Sequence, residues 1–394
     1  MSSARSLFAT KKPKKLLHPS FEVVSSSPWS KSTRRMMNDA FARFVERDGN
    51  FIEQFQTTGF NTRTFELYVN ELLHSEGFAP IGSEPQPDFT VAKNGVQISI
   101  ECTTANPSGN DSGLLAYRSV NERDSDIIDI RHRQQNQLPI RIAGALRAKM
   151  QHRLDKKKAG GKAYWELPHV VGRPFVLAIQ TFHEPGSLSF SNVGVIRYLY
   201  GIAHRPSWDD EGHLVIETER IDQHKDAEKE IPSGFFDLEG SENVAAVLWT
   251  NSGTVPKFTR MAITGPYPDD DVSIVRFGNM IDHDPNAHLA LPFAFIVGDE
   301  DAPPETWGTG ANLFHNPRAK HPLPLGLFET VTDSTYVDGV YSDRTKADFI
   351  PIMSISNSIR GPGHRAAAER LRDGILAGGI ESYMEQMEKA TNAA

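Results

Sequence analysis

The stretch Asp88-Phe89-Thr90-Val91-Ala92-Lys93-Asn94-Gly95-Val96-Gln97-Ile98-Ser99-Ile100-Glu101-Cys102-Thr103 decides how this chain is read. Two alternating runs flank Asn-Gly, the pair that best tolerates the positive φ angles of a two-residue hairpin turn. Such a turn pairs Lys93 with Val96 and counts outward. Val91 then meets Ile98, and Phe89 meets Ile100, on an apolar face. On the other face Ala92 meets Gln97, Thr90 meets Ser99, and Asp88 meets Glu101. Turn chemistry and hydrophobic pattern specify the same register. The two carboxylates are thereby opposed, with Cβ atoms about 4.5–5.5 Å apart. Like charges that close are unfavourable unless one keeps its proton or a cation lies between them. Hard oxygen donors suit Mg²⁺ or Mn²⁺. An ion held there would activate water and stabilise charge on a phosphoryl oxygen.

Upstream, Thr64 reads as the N-cap of a helix whose stripe is Phe65, Tyr68, Val69, Leu72 and Leu73, with Gly77 ending it. Glu66 falls beside that stripe and offers a third carboxylate, whereas Glu71 falls on the solvent side. Downstream, residues 104–137 read as a polar loop with a helical piece near Ile127. Pro139 opens a second helix, reaching about Lys158, with Ile142, Ala143, Leu146, Met150 and Leu154 as its apolar stripe. Residues 174–182 are a nearly continuous apolar run, suited to a strand buried on both faces. A helix is expected at 191–203, with strands at 214–221 and Val244–Thr250. This order is mixed α/β. Residues 364–390 read as an amphipathic helix interrupted near Gly378-Gly379. The expected organisation is a partly disordered basic arm and helix over 1–58, a core over 59–255, and C-terminal α+β additions over 256–394.

The chain has 394 residues and a net charge of -8, which argues against a nucleic-acid binder whose whole surface is basic. The charge is uneven, however. Between residues 131 and 162 lie Arg131, Arg133, Arg141, Arg147, Lys149, Arg153, Lys156, Lys157, Lys158 and Lys162, a local cluster of the kind that holds phosphate backbones. The single cysteine, Cys102, excludes an intramolecular disulfide and a Cys/His zinc spacing, and points to a reducing compartment, the cytoplasm. No apolar run is long enough to span a bilayer, and the N-terminus does not read as a signal peptide.

Glu66 on a helix, Pro87-Asp88, then Glu101-Cys102-Thr103 on the second strand, followed by a helix and a buried strand, resembles the PD-(D/E)XK superfamily of restriction-endonuclease-like phosphodiesterases. The resemblance covers residues 62–182, with a last core strand at 244–250. It implies a mixed sheet flanked by helices and a metal-dependent nuclease hydrolysing DNA, in restriction or anti-phage defence. It further implies that Asp88 and Glu101 bind Mg²⁺ or Mn²⁺, with Glu66 and the Cys102 carbonyl in support. In that family a lysine two residues after the second acid polarises the attacking water. Thr103 stands there in this chain. Lys149, at the edge of the second helix's apolar stripe, is the natural replacement, and Lys93 lies too near the turn. Arg147, Lys149, Arg153, Lys156, Lys157 and Lys158 would grip the phosphate backbone. Homo-oligomerisation or a defence-system partner protein fits the same setting.

Two other readings stand beside it. Thr103 favours a catalytically inactive, nuclease-like nucleic-acid-binding or assembly protein. The long region after residue 255 leaves room for an interaction protein of unrelated α/β fold. Asp282-His283-Asp284 with His288 reads as a polar loop rather than a metal site, and Gly361-Pro362-Gly363-His364-Arg365 as a plain helix start. Tyr164-Trp165 reads as packing near the mouth of the site, with base stacking by Trp165 as a second role.

Overall fold

In the computed structural model, residues 6–47, 49–107, 131–154 and 161–392 are described. The fold is mixed α/β. An eight-stranded sheet has the order β1-β2-β3-β4-β9-β12-β13-β14. Its strands are β1 (Ala79–Pro80), β2 (Phe89–Lys93), β3 (Val96–Ala105), β4 (Phe175–Thr181), β9 (Ala246–Thr250), β12 (Ala311–His315), β13 (Thr332–Val337) and β14 (Val340–Arg344). The intervening β5 (Ile202–Trp208) and β6 (Leu214–Arg220) form a ribbon, as do β7 (Gln223–Asp226) and β8 (Lys229–Pro232). A smaller sheet, β11-β10-β15, joins β10 (Val272–Met280), β11 (Leu291–Ile296) and β15 (Pro351–Arg360).

Helices cover both faces of the large sheet. On one face pack α1 (Pro19–Ser26), α2 (Lys31–Arg43), α3 (Phe51–Gln56), α4 (Phe60–Ser75) and α7 (Val255–Ile263), against Phe89, Ile98, Ile100, Val176 and Leu248. On the other pack α5 (Leu138–Gln151) and α6 (Val193–Tyr200), against Phe175, Leu177, Ile179 and Trp249. A last helix, α8 (His364–Asn392), lies on the small sheet through Ala368 and Ile375 and is kinked at Gly379. The two-sided cover explains why β4 is buried along its whole length. Among the described residues no helix is long and apolar enough to cross a membrane.

The hairpin register is the one its turn dictates. Phe89 opposes Ile100, Thr90 opposes Ser99, Val91 opposes Ile98, Ala92 opposes Gln97 and Lys93 opposes Val96. Asn94 and Gly95 take φ of 51° and 80°, as a type I′ turn requires. β3 then pairs in parallel with β4, which pairs in parallel with β9. The hairpin thus forms one wing of the sheet, with only the short β1 outside it.

Three expectations are corrected. Residues 6–47 and 49–58, expected as a partly disordered basic arm with a helix, carry α1, α2 and α3, and Leu7, Phe21, Val24, Met37 and Phe51 are fully buried in the core under α4. Their basic character is spent on the surface, where Lys12 pairs with Glu53 and Lys14 with Glu22. Because α2 covers α4, Glu71 faces protein rather than solvent and holds Arg43 through two hydrogen bonds of 3.1 and 2.5 Å. Finally, the main sheet does not end near residue 255, since β12, β13 and β14 complete its far wing. β12 runs antiparallel to β9, so this extension is no simple repeat of the parallel core.

An added Cβ at Gly95 meets nothing within 4 Å, so Gly95→Ala tests the turn's backbone alone. We expect a loss of about 1–2 kcal/mol, the cost of a left-handed conformation for an L side chain, measured by urea unfolding. An unchanged midpoint would mean that the turn does not set the register.

Candidate active site

Asp88 stands one residue before β2, where the β2–β3 ladder runs out. Beyond the Phe89–Ile100 pair the acids themselves continue the cross-strand contact. The Cys102 N–H donates to Asp88 Oδ2 at 2.7 Å, and the Asp88 N–H donates to Glu101 Oε2 at 3.3 Å. Each carboxylate is therefore tied to the backbone of the opposite strand, which holds the two side by side.

Alternation along β3 turns Ile98, Ile100 and Cys102 toward α4 and Glu101 toward α5. There Glu101 is 4% exposed. Two donors converge on its Oε1: Lys149 Nζ at 2.5 Å and the Tyr164 hydroxyl at 2.8 Å. Lys149 comes from the last turn of α5, whose Ile142, Leu146 and Met150 anchor the helix on the sheet. Tyr164 is held between His152 and Phe175, with ring centroids at 5.5 and 5.7 Å. The polar face of the hairpin is therefore interior: Thr90, Ser99 and Thr103 are also buried.

Glu66 is buried on α4, on the opposite side of the sheet, and its carboxylate binds Arg63 at 2.6 Å. Its charge still reaches Asp88 and Cys102. Burial, then the charges of Glu101 and Glu66, push the Asp88 carboxyl well above the usual carboxylate range, outweighing the Cys102 N–H and Lys149. Burial alone would lower Lys149, but the attraction of Glu101 and Asp88 wins and its ammonium is stabilised above the normal lysine value. Burial and the same three acids push the Cys102 thiol up, so it stays protonated. The donor set is thus hard oxygen without thiolate, which fits Mg²⁺ or Mn²⁺ rather than a soft-ligand metal. Asp88 and Glu101 would hold such an ion. Lys149 pairs with Glu101, Arg63 pairs with Glu66, and the charge of Arg47 acts on Asp88, so three cations face the three carboxylates.

The anticipated residues Asp88, Glu101 and Lys149 come together, and Glu66 bears on them through charge from the far side. Cys102 contributes its amide to Asp88. Lys93 stays by the turn, paired with Glu76 at 3.5 Å and Glu329 at 3.3 Å. Arg147 and Arg153 flank Lys149 on and just after α5, while Lys156, Lys157 and Lys158 lie outside the described residues.

Two features escaped the sequence reading. Arg47 follows α2 near the first acid: the ring of Phe44 meets Phe89 edge-on at 5.9 Å, and the Arg47 guanidinium feels the charge of Asp88. Its Nε and Nη1 are buried with no partner. No helical or strand periodicity marks a loop residue of this kind. The second is the trio Asp209, Glu211 and His213. Among the described residues it is the one group of metal-type ligands whose atoms all lie within 4.8 Å of one another. It is solvent-exposed, and Asp209 Oδ1 caps the backbone of Glu211 and His213, as a tight turn between β5 and β6 requires. Glu66, Asp88 and Glu101 are not gathered that closely. No protein-family model, curated protein or solved structure matches the chain.

A carboxyl whose pKa is raised by folding binds protons more tightly in the native state. Its contribution is complete below the unfolded value, about 3.9 for Asp, and is lost as pH rises through the folded value. Asp88→Asn keeps the acceptor for Cys102 and removes the charge. In EDTA its melting temperature should exceed that of the wild type at pH 7.5, with the gap closing toward pH 4. A variant less stable by the same margin at both pH values would show that Asp88 ionises without penalty.

Proposed function

We propose that this chain is a divalent-metal-dependent phosphodiesterase that cuts DNA, of the PD-(D/E)XK type, serving restriction or anti-phage defence. One observation carries the reading: Lys149 reaches Glu101 from α5 at 2.5 Å, while Thr103 occupies the position where the resembled family keeps its lysine. A positive charge is restored beside the second acid from another element. This is the arrangement that phosphoryl transfer needs, a cation fixed where negative charge develops.

When bound, a divalent ion supplies Lewis-acid polarisation of the phosphoryl oxygen and a more acidic water. The protein's own part is preorganisation. Asp88 and Glu101 would hold the ion, with the backbone of each strand fixing the carboxylate of the other. Lys149 sits one side-chain contact from Glu101, placed to neutralise the attacked phosphate or to orient the attacking water. Tyr164 holds the shared Glu101 oxygen and excludes solvent from that side. Glu66, anchored by Arg63, adds negative potential that favours cation binding. Arg147 and Arg153 extend the positive strip along which a phosphate backbone would run.

The second reading, a nuclease-like protein that binds without cutting, draws on one observation. Both Glu101 oxygens already accept hydrogen bonds from protein donors, so the carboxylate is satisfied as it stands.

Plasmid and linear DNA incubated with Mg²⁺, Mn²⁺ or EDTA separate the two. The first reading predicts metal-dependent cleavage that Asp88→Ala abolishes. Lys149→Ala should slow it by about 10²–10³-fold, the usual loss when one charge-stabilising donor is removed. DNA retained in a gel shift, with no cleavage under any metal condition, would instead establish the second.

A further inference from the structure

A cavity of about 310 Å³ is lined among others by Arg147, Met150, Arg153, Trp165, Glu239 and Gly240. Its position follows from the chain. Met150 is the residue after Lys149, and Trp165 is the residue after Tyr164, so two walls are each one residue from a donor to Glu101. Trp165 is partly exposed, and its ring is braced edge-on by Phe175 with centroids 6.0 Å apart. Arg153 is fixed by hydrogen bonds from Nη1 to the Met150 and His152 carbonyls at 2.8 and 3.0 Å. Arg147 keeps a buried Nε with no partner. Gly240, at φ 86°, forms the wall against which a side chain would meet the Met150 methyl.

An indole face, a polarisable thioether and two guanidiniums are the groups that hold a flat heteroaromatic ring beside a phosphate. The volume lies at the small end of ligand pockets and suits one base rather than a base pair. A base inside a duplex is stacked and cannot enter such a recess without leaving the helix. We infer that this cavity is a nucleotide subsite taking one unpaired base of the strand next to the acid cluster, so that the substrate is single-stranded or locally opened DNA. The assignment of that strand as substrate rests on the phosphodiesterase reading, whereas the binding of an unpaired base does not.

The test is fluorescence anisotropy in EDTA, with full-length protein and three labelled probes of equal length: a single strand, its blunt duplex, and an abasic strand carrying the same phosphates. Wild type should bind the base-bearing strand roughly tenfold more tightly than the abasic one, the scale of a single base–aromatic stack, and also more tightly than the duplex. Trp165→Ala should erase the preference over the abasic strand while leaving abasic binding unchanged, and Trp165→Phe should retain most of it. Met150→Phe, which fills the cavity from another wall, is read in the same way and covers failure of the alanine variant to fold. Equal affinity of wild type for base-bearing and abasic strands overturns the subsite, as does a preference that survives both Trp165→Ala and Met150→Phe. Base-dependent binding without cleavage under any metal condition upholds the subsite and removes the hydrolase. Metal-dependent cleavage with base-independent binding does the reverse.

Discussion

The structure is organised around two carboxylates that a two-residue turn brings together, Glu101 buried and Asp88 half-buried. Asp88 and Glu101 are each hydrogen-bonded to the other's strand, so neither can swing away without losing a backbone contact. Their repulsion has to be met locally. Lys149 meets part of it from α5, and Tyr164 shares the same oxygen of Glu101. The remainder appears as an Asp88 carboxyl that resists ionisation. A buried charge pair of this sort is weak evidence for stability, because desolvation offsets attraction. It is better evidence for a site, since strongly perturbed titratable groups gather where chemistry is done.

The hairpin was legible because its turn residues, its alternation and its register all agree. From that register the opposition of the two acids follows with no knowledge of the rest of the chain. Lys149 was legible because it lies one turn from Leu146, at the edge of the stripe Ile142, Ala143, Leu146, Met150 and Leu154, although the helix itself stops at Gln151. What failed depended on contacts between distant segments. Glu71 looked solvent-facing on an isolated helix, but α2 covers that side and supplies Arg43. Residues 1–35 read as partly disordered because they are rich in Ser, Lys and Pro and carry little periodicity. Scattered Leu7, Phe21 and Val24, too sparse to form a stripe, nevertheless anchor them in the core. The strands β12 to β14 lay within Pro- and Gly-rich sequence, where alternation runs too briefly to stand out. Arg47 sits in a loop and was invisible for the same reason.

The large and small sheets are joined by a second charged centre that has a structural role. Glu305 accepts from Lys257 at 2.7 Å and from Arg260 at 2.8 and 2.9 Å, with Arg276 at 3.3 Å. Lys257 and Arg260 lie on α7, against the large sheet, and Arg276 lies on β10 in the small one. Burial pushes Lys257 down to about 7 despite the nearby carboxylate. The three cations hold Glu305 well below the ordinary carboxylate range, against the effect of its burial. This knot fixes α7, and with it the core layer under α4, on the side from which Glu66 acts.

The hydrolase reading depends on a cation site at Asp88 and Glu101. It is tested most directly by diffraction from crystals soaked in MnCl₂, with data collected near the manganese absorption edge. An anomalous peak is expected between the Asp88 and Glu101 carboxylates, with the Lys149 ammonium still in the cluster. A map whose only peak lies at the exposed Asp209–Glu211–His213 turn, with the two hairpin acids bare, would contradict it.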